Sequence, residues 1–263
     1  MSARQFDPGP PSKFETLFAA CPPPIAFREH FWFDWGPVFY RGRLDGSARI
    51  LAIASDPGAT ERVVGRTLVG DAGQRVQGLL SKIGLDRSYV AANAFPYSFI
   101  PSHGSSAKKV LRDPEQMAWR NRLYDALAGP NLQAIIAFGE YAQYAVDRWP
   151  TAAAVPIHRL PHPSSHSEPK LLDAWRAAVT ALRGQVTPDP GAPANLPNYG
   201  ATFAESDYAP IPRRDLPFGV PDFIGNDAWV RATGGHGSVS RPDEFTIEWL
   251  APRPRPAAGG NPP

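Results

Sequence analysis

Apolar residues run almost unbroken through four short stretches of the chain: ARILAIAS (48–55), SYVAANAF (88–95), LQAIIAFG (132–139) and AVPIHRL (154–160). Each has strand length, and a run without polar alternation suits a strand covered on both faces. Pro156 inside the last run removes a ladder donor and predicts an edge position for it. Between these runs the apolar spacing turns helical, at about Gly73–Ile83, Pro114–Leu127 and Glu140–Arg148, and again at Glu168–Arg183. Strand and helix therefore alternate. The pattern predicts an α/β fold with a central parallel, doubly wound sheet flanked by helices, whose ligand crevice lies beyond the carboxyl ends of the strands. The earlier stretch PVFYRGRL (37–44) is a candidate edge strand.

The flanks follow neither period. Residues 1–30 are rich in proline and aromatics, hold one short helix around Lys13–Ala20, and read as an N-terminal wrap around a domain spanning 31–185. Beyond Gln185 lies a segment, 186–263, with nearly half of the 31 prolines and no sustained period. Its aromatics, among them Tyr199, Phe203, Tyr208 and Trp229, argue against a disordered tail, which is ordinarily aromatic-poor. The expectation is a Pro-rich C-terminal extension packed on the core, with a hairpin of DAWVRAT and FTIEWLA around Gly234–Gly237 and a flexible end at PRPRPAAGGNPP.

Composition narrows the chemistry. With 263 residues, 43% of them hydrophobic, the chain can bury a full core. The single cysteine, Cys21, excludes an internal disulfide and any four-thiolate zinc or iron–sulfur site, so no metal or cofactor is called for and a reducing cytoplasm is the simplest compartment. No stretch has the pattern of a signal peptide or a membrane-spanning helix. A net charge of +2 permits a polyanionic partner without requiring one.

The strand ends carry a short, coherent set of groups: Ser55-Asp56-Pro57-Gly58 after the first, Asn93 to Tyr97 at the second, Gly139-Glu140 at the third, and His162-Pro163-Ser164-Ser165-His166 after the fourth. Each has an ordinary structural explanation. Asp56 and Asn93 can cap turns, His162 can bond a neighbouring carbonyl, and Gly65, Gly70 and Gly73 can shape a loop. A carboxylate, an amide and an imidazole meeting at one sheet edge are more economically explained as a site. No nucleophile elbow, phosphate-binding loop or dinucleotide fingerprint is present to support another α/β hydrolase or nucleotide binder.

The segment SDPGATERVVGRTLVGDAGQRVQGLL resembles the first motif of the uracil-DNA glycosylase superfamily, HPSSH resembles its second, and Asn93 matches its base-reading asparagine. The motifs stand in the expected order over roughly Ala48–Arg183. The Gly-Arg-x-x-Val-Gly portion is similar to family 4, whose iron–sulfur cluster one cysteine cannot supply, whereas Asp56-Pro57 is similar to family 1. The resemblance implies a DNA-repair enzyme that flips a uracil, or a 5-substituted or other deaminated base, out of DNA and hydrolyses its N-glycosidic bond. In that reading Asp56 and His162 are catalytic, and Ser55, Gly58, Leu68, Asn93 and Phe95 contact the base. Ser164, Ser165, Lys108 and Lys109 contact the DNA. Gly58 replaces a family-1 tyrosine and predicts a roomier pocket. Leu68 replaces a stacking phenylalanine, for which Phe95 or Tyr97 is the substitute. Single-stranded uracil-DNA, for which flipping costs little, is the expected partner, with double-stranded DNA as a second substrate. The rival is a protein of the same fold that binds uracil or an abasic site without turnover.

Overall fold

The computed structural model describes residues 6–225 apart from 34, 35, 166, 194, 195 and 221–223. The anticipated hairpin and flexible end therefore lie outside the described residues. A five-stranded sheet occupies the centre, built from β2 (Arg41–Gly42), β3 (Ile50–Ala54), β4 (Tyr89–Asn93), β6 (Ala134–Phe138) and β7 (Ile157–Leu160) in the spatial order β2-β4-β3-β6-β7. The four long strands are parallel and β2 is antiparallel to β4. The sheet is thus mixed at one edge, where the 37–44 stretch contributes only two residues. A separate antiparallel ribbon joins β1 (Phe31–Trp32) to β5 (Ser98–Phe99).

The continuous apolar runs are explained by burial on both faces. Every residue of β3, β4 and β6 is buried, and alternate side chains enter opposite cores. Ile50, Ala52, Tyr89, Ala91, Ile136 and Phe138 pack with α3 (Asp71–Lys82) and α7 (Glu168–Gln185). Leu51, Ile53, Val90, Ala92, Ile135 and Ala137 pack with α1 (Ser12–Ala19), α4 (Ala107–Leu111), α5 (Pro114–Leu127) and α6 (Gly139–Val146). β7 is half-exposed at the edge, as Pro156 predicts.

Local chemistry sets the helix ends. Pro114 opens α5, where the Asp113 carboxylate accepts the Gln116 N–H at 3.1 Å. The short α2 (Ala59–Val64) stops at Gly65, whose φ of 69° is left-handed. From β3 the chain crosses to β4 over one face, then returns past β3 to β6 over the other. The winding direction consequently reverses between the carboxyl ends of β3 and β6, the position where doubly wound sheets open a crevice.

The described residues after Gln185 pack back on this core. Asp189 accepts the backbone N–H groups of Asp86, Arg87 and Ser88 at 3.0, 2.9 and 3.0 Å. Burial alone would raise its carboxyl, but the Ser88 hydroxyl and those N–H donors outweigh it and bring it down to about 2. Asp207 pairs with Lys82 at 2.8 Å, and its carbonyl crosses α3 so closely that a Cβ at Gly78 would lie 1.9 Å from the oxygen. Asp215 is buried against Arg41 at 3.2 Å and the Tyr89 hydroxyl at 2.6 Å. The N-terminal segment joins through Asp7, which binds Arg66 at 2.7 Å and bridges to Pro217. Among the described residues no helix is long and apolar enough to cross a membrane.

Candidate active site

Asp56 emerges where β3 ends and the chain turns through Pro57 to α2. One carboxylate oxygen, Oδ2, accepts the Phe99 backbone N–H at 2.9 Å, while the Ser98 hydroxyl holds the Pro57 carbonyl at 2.5 Å. The β1–β5 ribbon thereby anchors the acidic turn. Burial pushes the Asp56 carboxyl up to about 7; the Phe99 N–H opposes this, the Glu61 carboxylate adds to it, and Arg62 pulls it back. The residue nonetheless keeps part of its surface exposed.

Glu61, in the first turn of α2, is a second acidic group, outside the strand-end candidates. Its Oε1 accepts the Val69 and Gly70 N–H groups at 2.9 Å each, tying down the loop before α3. Its Oε2 stands where a side chain at position 58 would begin, since a Cβ on Gly58 would lie 2.6 Å from it. The space beside Gly58 is therefore occupied by a carboxylate. In the same loop Leu68 is buried and takes a left-handed φ of 55°, with its carbonyl 1.8 Å from where a Cβ on Gly73 would sit. A residue held in this region marks backbone strain beside the candidate site.

Asn93 closes β4 beside Ala54 of β3 and is 5% exposed. Its main-chain carbonyl accepts the Tyr124 hydroxyl at 3.1 Å, but its side-chain Nδ2 has no hydrogen-bond partner among the described residues. A buried amide donor left unpaired costs roughly 1–3 kcal/mol, so it is a group that a ligand can satisfy.

His162 follows β7. Its Nδ1 accepts the Ser164 backbone N–H at 3.2 Å, and its carbonyl accepts the Ser165 N–H at 2.8 Å, folding the His-Pro-Ser-Ser turn around the ring. An acceptor at Nδ1 places the ring proton on Nε2. Burial draws the imidazole down to about 4, which keeps it neutral at physiological pH. Gly139, at φ 81° after β6, lies under the ring, with 3.0 Å between a Cβ built there and His162 Cβ. No larger residue fits that position without moving the histidine.

Arg75, another residue absent from the sequence-level candidates, supports this turn from below. It is 2% exposed, donates to the Pro163 carbonyl at 2.8 Å and to the Tyr208 hydroxyl at 2.9 Å, and lies over the Phe203 ring at 4.3 Å. The C-terminal extension thus reaches the histidine turn through one buried cation. An arginine on the apolar face of a predicted helix was the available signal.

The remaining candidates separate. Ser55 is half-buried beside Asp56, and its carbonyl accepts the Phe95 N–H at 2.9 Å. Phe95 itself is 2% exposed, ringed by Phe31, Phe99 and Tyr141, so it braces the crevice from behind instead of offering a free face. Tyr97 packs on Phe31 and Phe33. Tyr141 of α6 is the partly exposed aromatic within electrostatic reach of Asp56, and its hydroxyl donates to the Gly104 carbonyl at 3.2 Å. Ser164 and Ser165 are half-buried on the histidine turn. Lys108 is engaged by Glu140 and lies over Tyr144, and exposed Lys109 lies over Phe27. Burial pushes the Cys21 thiol up to about 12, which leaves it protonated and unreactive. Among the described residues no group of three or more His, Cys, Asp or Glu side chains is arranged to hold a metal ion.

The sheet edge therefore brings together a carboxylate, an unpaired amide donor and a neutral imidazole with its proton on Nε2. A search of curated proteins returns no match. A family model described as the Uracil DNA glycosylase superfamily matches residues 41–183, from β2 into α7 and more than half of the chain, with Asp56, Asn93 and His162 inside the match. This match supports a glycosylase for damaged bases with DNA as the substrate: the chain belongs to the uracil-DNA glycosylase superfamily.

Proposed function

We propose that the protein is a monofunctional glycosylase that removes uracil from DNA and leaves an abasic site. The observation that carries this reading is Asn93, whose buried Nδ2–H lacks a partner at the edge shared with Asp56 and His162. Its amide offers a donor to uracil O4 and an acceptor to N3–H. Cytosine, with an amino group at position 4 and no proton on N3, reverses both demands.

In the reaction the bond between C1′ and the base nitrogen breaks and its electron pair leaves with the base. Positive charge develops on the sugar and negative charge on the base. Ionised Asp56 stabilises the first and accepts a proton from the water that attacks C1′. His162 stabilises the second by donating its Nε2–H to uracil O2, and the departing anion then takes a proton from solvent. A neutral donor suits this role because it needs no proton of its own to be replaced between turnovers. Ser164 and Ser165 are placed to bond phosphates once the nucleotide is extruded. The carboxylate beside Gly58 lies close to the turn that holds Asp56, so it contributes to selection among 5-substituted uracils.

The test is cleavage of a labelled single-stranded oligonucleotide with one uracil, followed by alkali, under single-turnover conditions. Cleavage by the wild-type protein should rise with pH through about 7 as Asp56 ionises, and Asp56→Asn should lower it by about 10²–10⁴-fold. A protein that binds the oligonucleotide but never cleaves it, on single or double strands, overturns the enzymatic reading in favour of a binding protein.

A further inference from the structure

The β1–β5 ribbon that holds Asp56 also presents an aromatic side chain to solvent. Trp32 pairs with Ser98, and Phe31 with Phe99. Directly opposed residues of an antiparallel pair project from the same face. Ser98 uses that face to bond the Pro57 carbonyl, so Trp32 stands on the side of the ribbon that looks onto the Asp56-Pro57-Gly58 turn. Phe31 and Phe99 turn the other way into the core. Trp32 is 46% exposed, and the Arg62 guanidinium lies 6.0 Å from its ring centroid. Arg62 belongs to α2, the helix that begins directly after the acidic turn, and its charge reaches Asp56. Val63, on the same helix, is 52% exposed.

Trp32 and Arg62 thus stand together on the side of the ribbon that looks onto the acidic turn, with the indole only partly covered. The mechanism above uses none of these side chains. An aromatic face paired with a cation is the combination that holds unpaired nucleic acid: the ring stacks on any base and the cation attends the backbone. A protein partner would call for a wide apolar patch, whereas here an exposed indole is paired with a charge.

We propose that Trp32, with Arg62 beside it, is a stacking platform for an unpaired base next to the target nucleotide. The proposal rests on the glycosylase reading for the identity of that target. A base inside a duplex has both faces covered by its neighbours, so the platform works on single strands and biases the protein toward them. It also gives the N-terminal segment a role at the mouth of the crevice, although Trp32 lies outside the span matched by the family model.

Fluorescence anisotropy tests this with a single-stranded oligonucleotide carrying one uracil between thymines, and with its duplex. Asp56→Asn is the background, so that binding is read without cleavage. Adding Trp32→Ala should weaken single-strand binding tenfold or more and duplex binding less than twofold. Adding Trp32→Phe, which keeps an aromatic face, should cost only a fewfold. In the otherwise wild-type protein Trp32→Ala should raise KM with kcat retained. Equal single-strand affinity with and without the indole overturns the proposal, as does an equal loss on both substrates. A shift in oligomeric state with DNA affinity unchanged assigns the surface to a second copy and also overturns it. If the wild-type protein cleaves no uracil but single-strand binding still depends on Trp32, the platform stands and the uracil reading falls.

Discussion

Two sets of buried ionisable groups in this protein differ in how their charge is met. Where the C-terminal extension meets the core, charge is matched: Asp189 has three backbone donors, Asp207 has Lys82, and Asp215 has Arg41 and Tyr89. At the sheet edge, Asp56 is held by one N–H and driven upward in pKa, Asn93 keeps an unpaired donor, and His162 is stripped of charge. The carboxylates of the first region are all engaged, while Arg41 Nη2, Arg43 Nε and the Tyr199 hydroxyl beside them lack a hydrogen-bond partner among the described residues. What sets the second apart is a carboxyl raised and an imidazole lowered by burial on the same sheet edge as an unpaired amide, and perturbed groups clustered in this way mark a candidate site.

The comparison breaks most visibly if a matched group proves dispensable. Asp215→Ala strands Arg41, which is fully buried, and should cost about 3–5 kcal/mol in denaturant unfolding. A loss below about 1 kcal/mol would mean that the extension is only loosely attached. At the sheet edge the same kind of truncation should act on rate instead. His162→Ala removes the donor for the leaving base and should lower the single-turnover rate by about 10²-fold, equivalent to about 3 kcal/mol in the transition state, with unfolding almost unchanged. Equal stability losses in the two variants would erase the distinction between the regions.

The difference also explains what the sequence could reveal. Strands buried on both faces write themselves as apolar runs, and Pro156 marks the edge, so the parallel strands and long helices are legible with their order. That Asp56, Asn93 and His162 follow or close strands is legible in the same way, because strand ends are where such a sheet exposes chemistry. Glu61 and Arg75 are not, because each acts through main-chain groups that no side-chain pattern records: the N–H groups of Val69 and Gly70, and the carbonyl of Pro163. The β1–β5 ribbon escapes for a simpler reason. Two-residue strands have no period, and only the Asp56 carboxylate and the Pro57 carbonyl disclose what the ribbon holds. Phe95 misleads because an aromatic after a strand serves a core as readily as a ligand, and here the core takes it.

The smallest expected effect is the sharpest test of whether Asp56 is held against its own preference. Its folded pKa of about 7 lies above the ordinary carboxylate value of 3.8, so between those pH values the native state keeps a proton that the unfolded chain has released. Stability attributable to this group is therefore undiminished below about pH 4, falls as pH rises toward 7, and stays low above it. Asparagine never ionises and can still accept the Phe99 N–H. Asp56→Asn should accordingly leave stability unchanged near pH 4 and raise it at pH 8. A shift of about three units corresponds to roughly 4 kcal/mol at full burial, and the partial exposure of this residue reduces the expected gain to about 2 kcal/mol. Paired thermal or denaturant unfolding curves at the two pH values read the difference directly. A variant less stable than the wild type at pH 8 would place Asp56 with Asp189, as a carboxylate the fold needs ionised, and would remove the physical ground for treating the sheet edge as the strained region of the molecule.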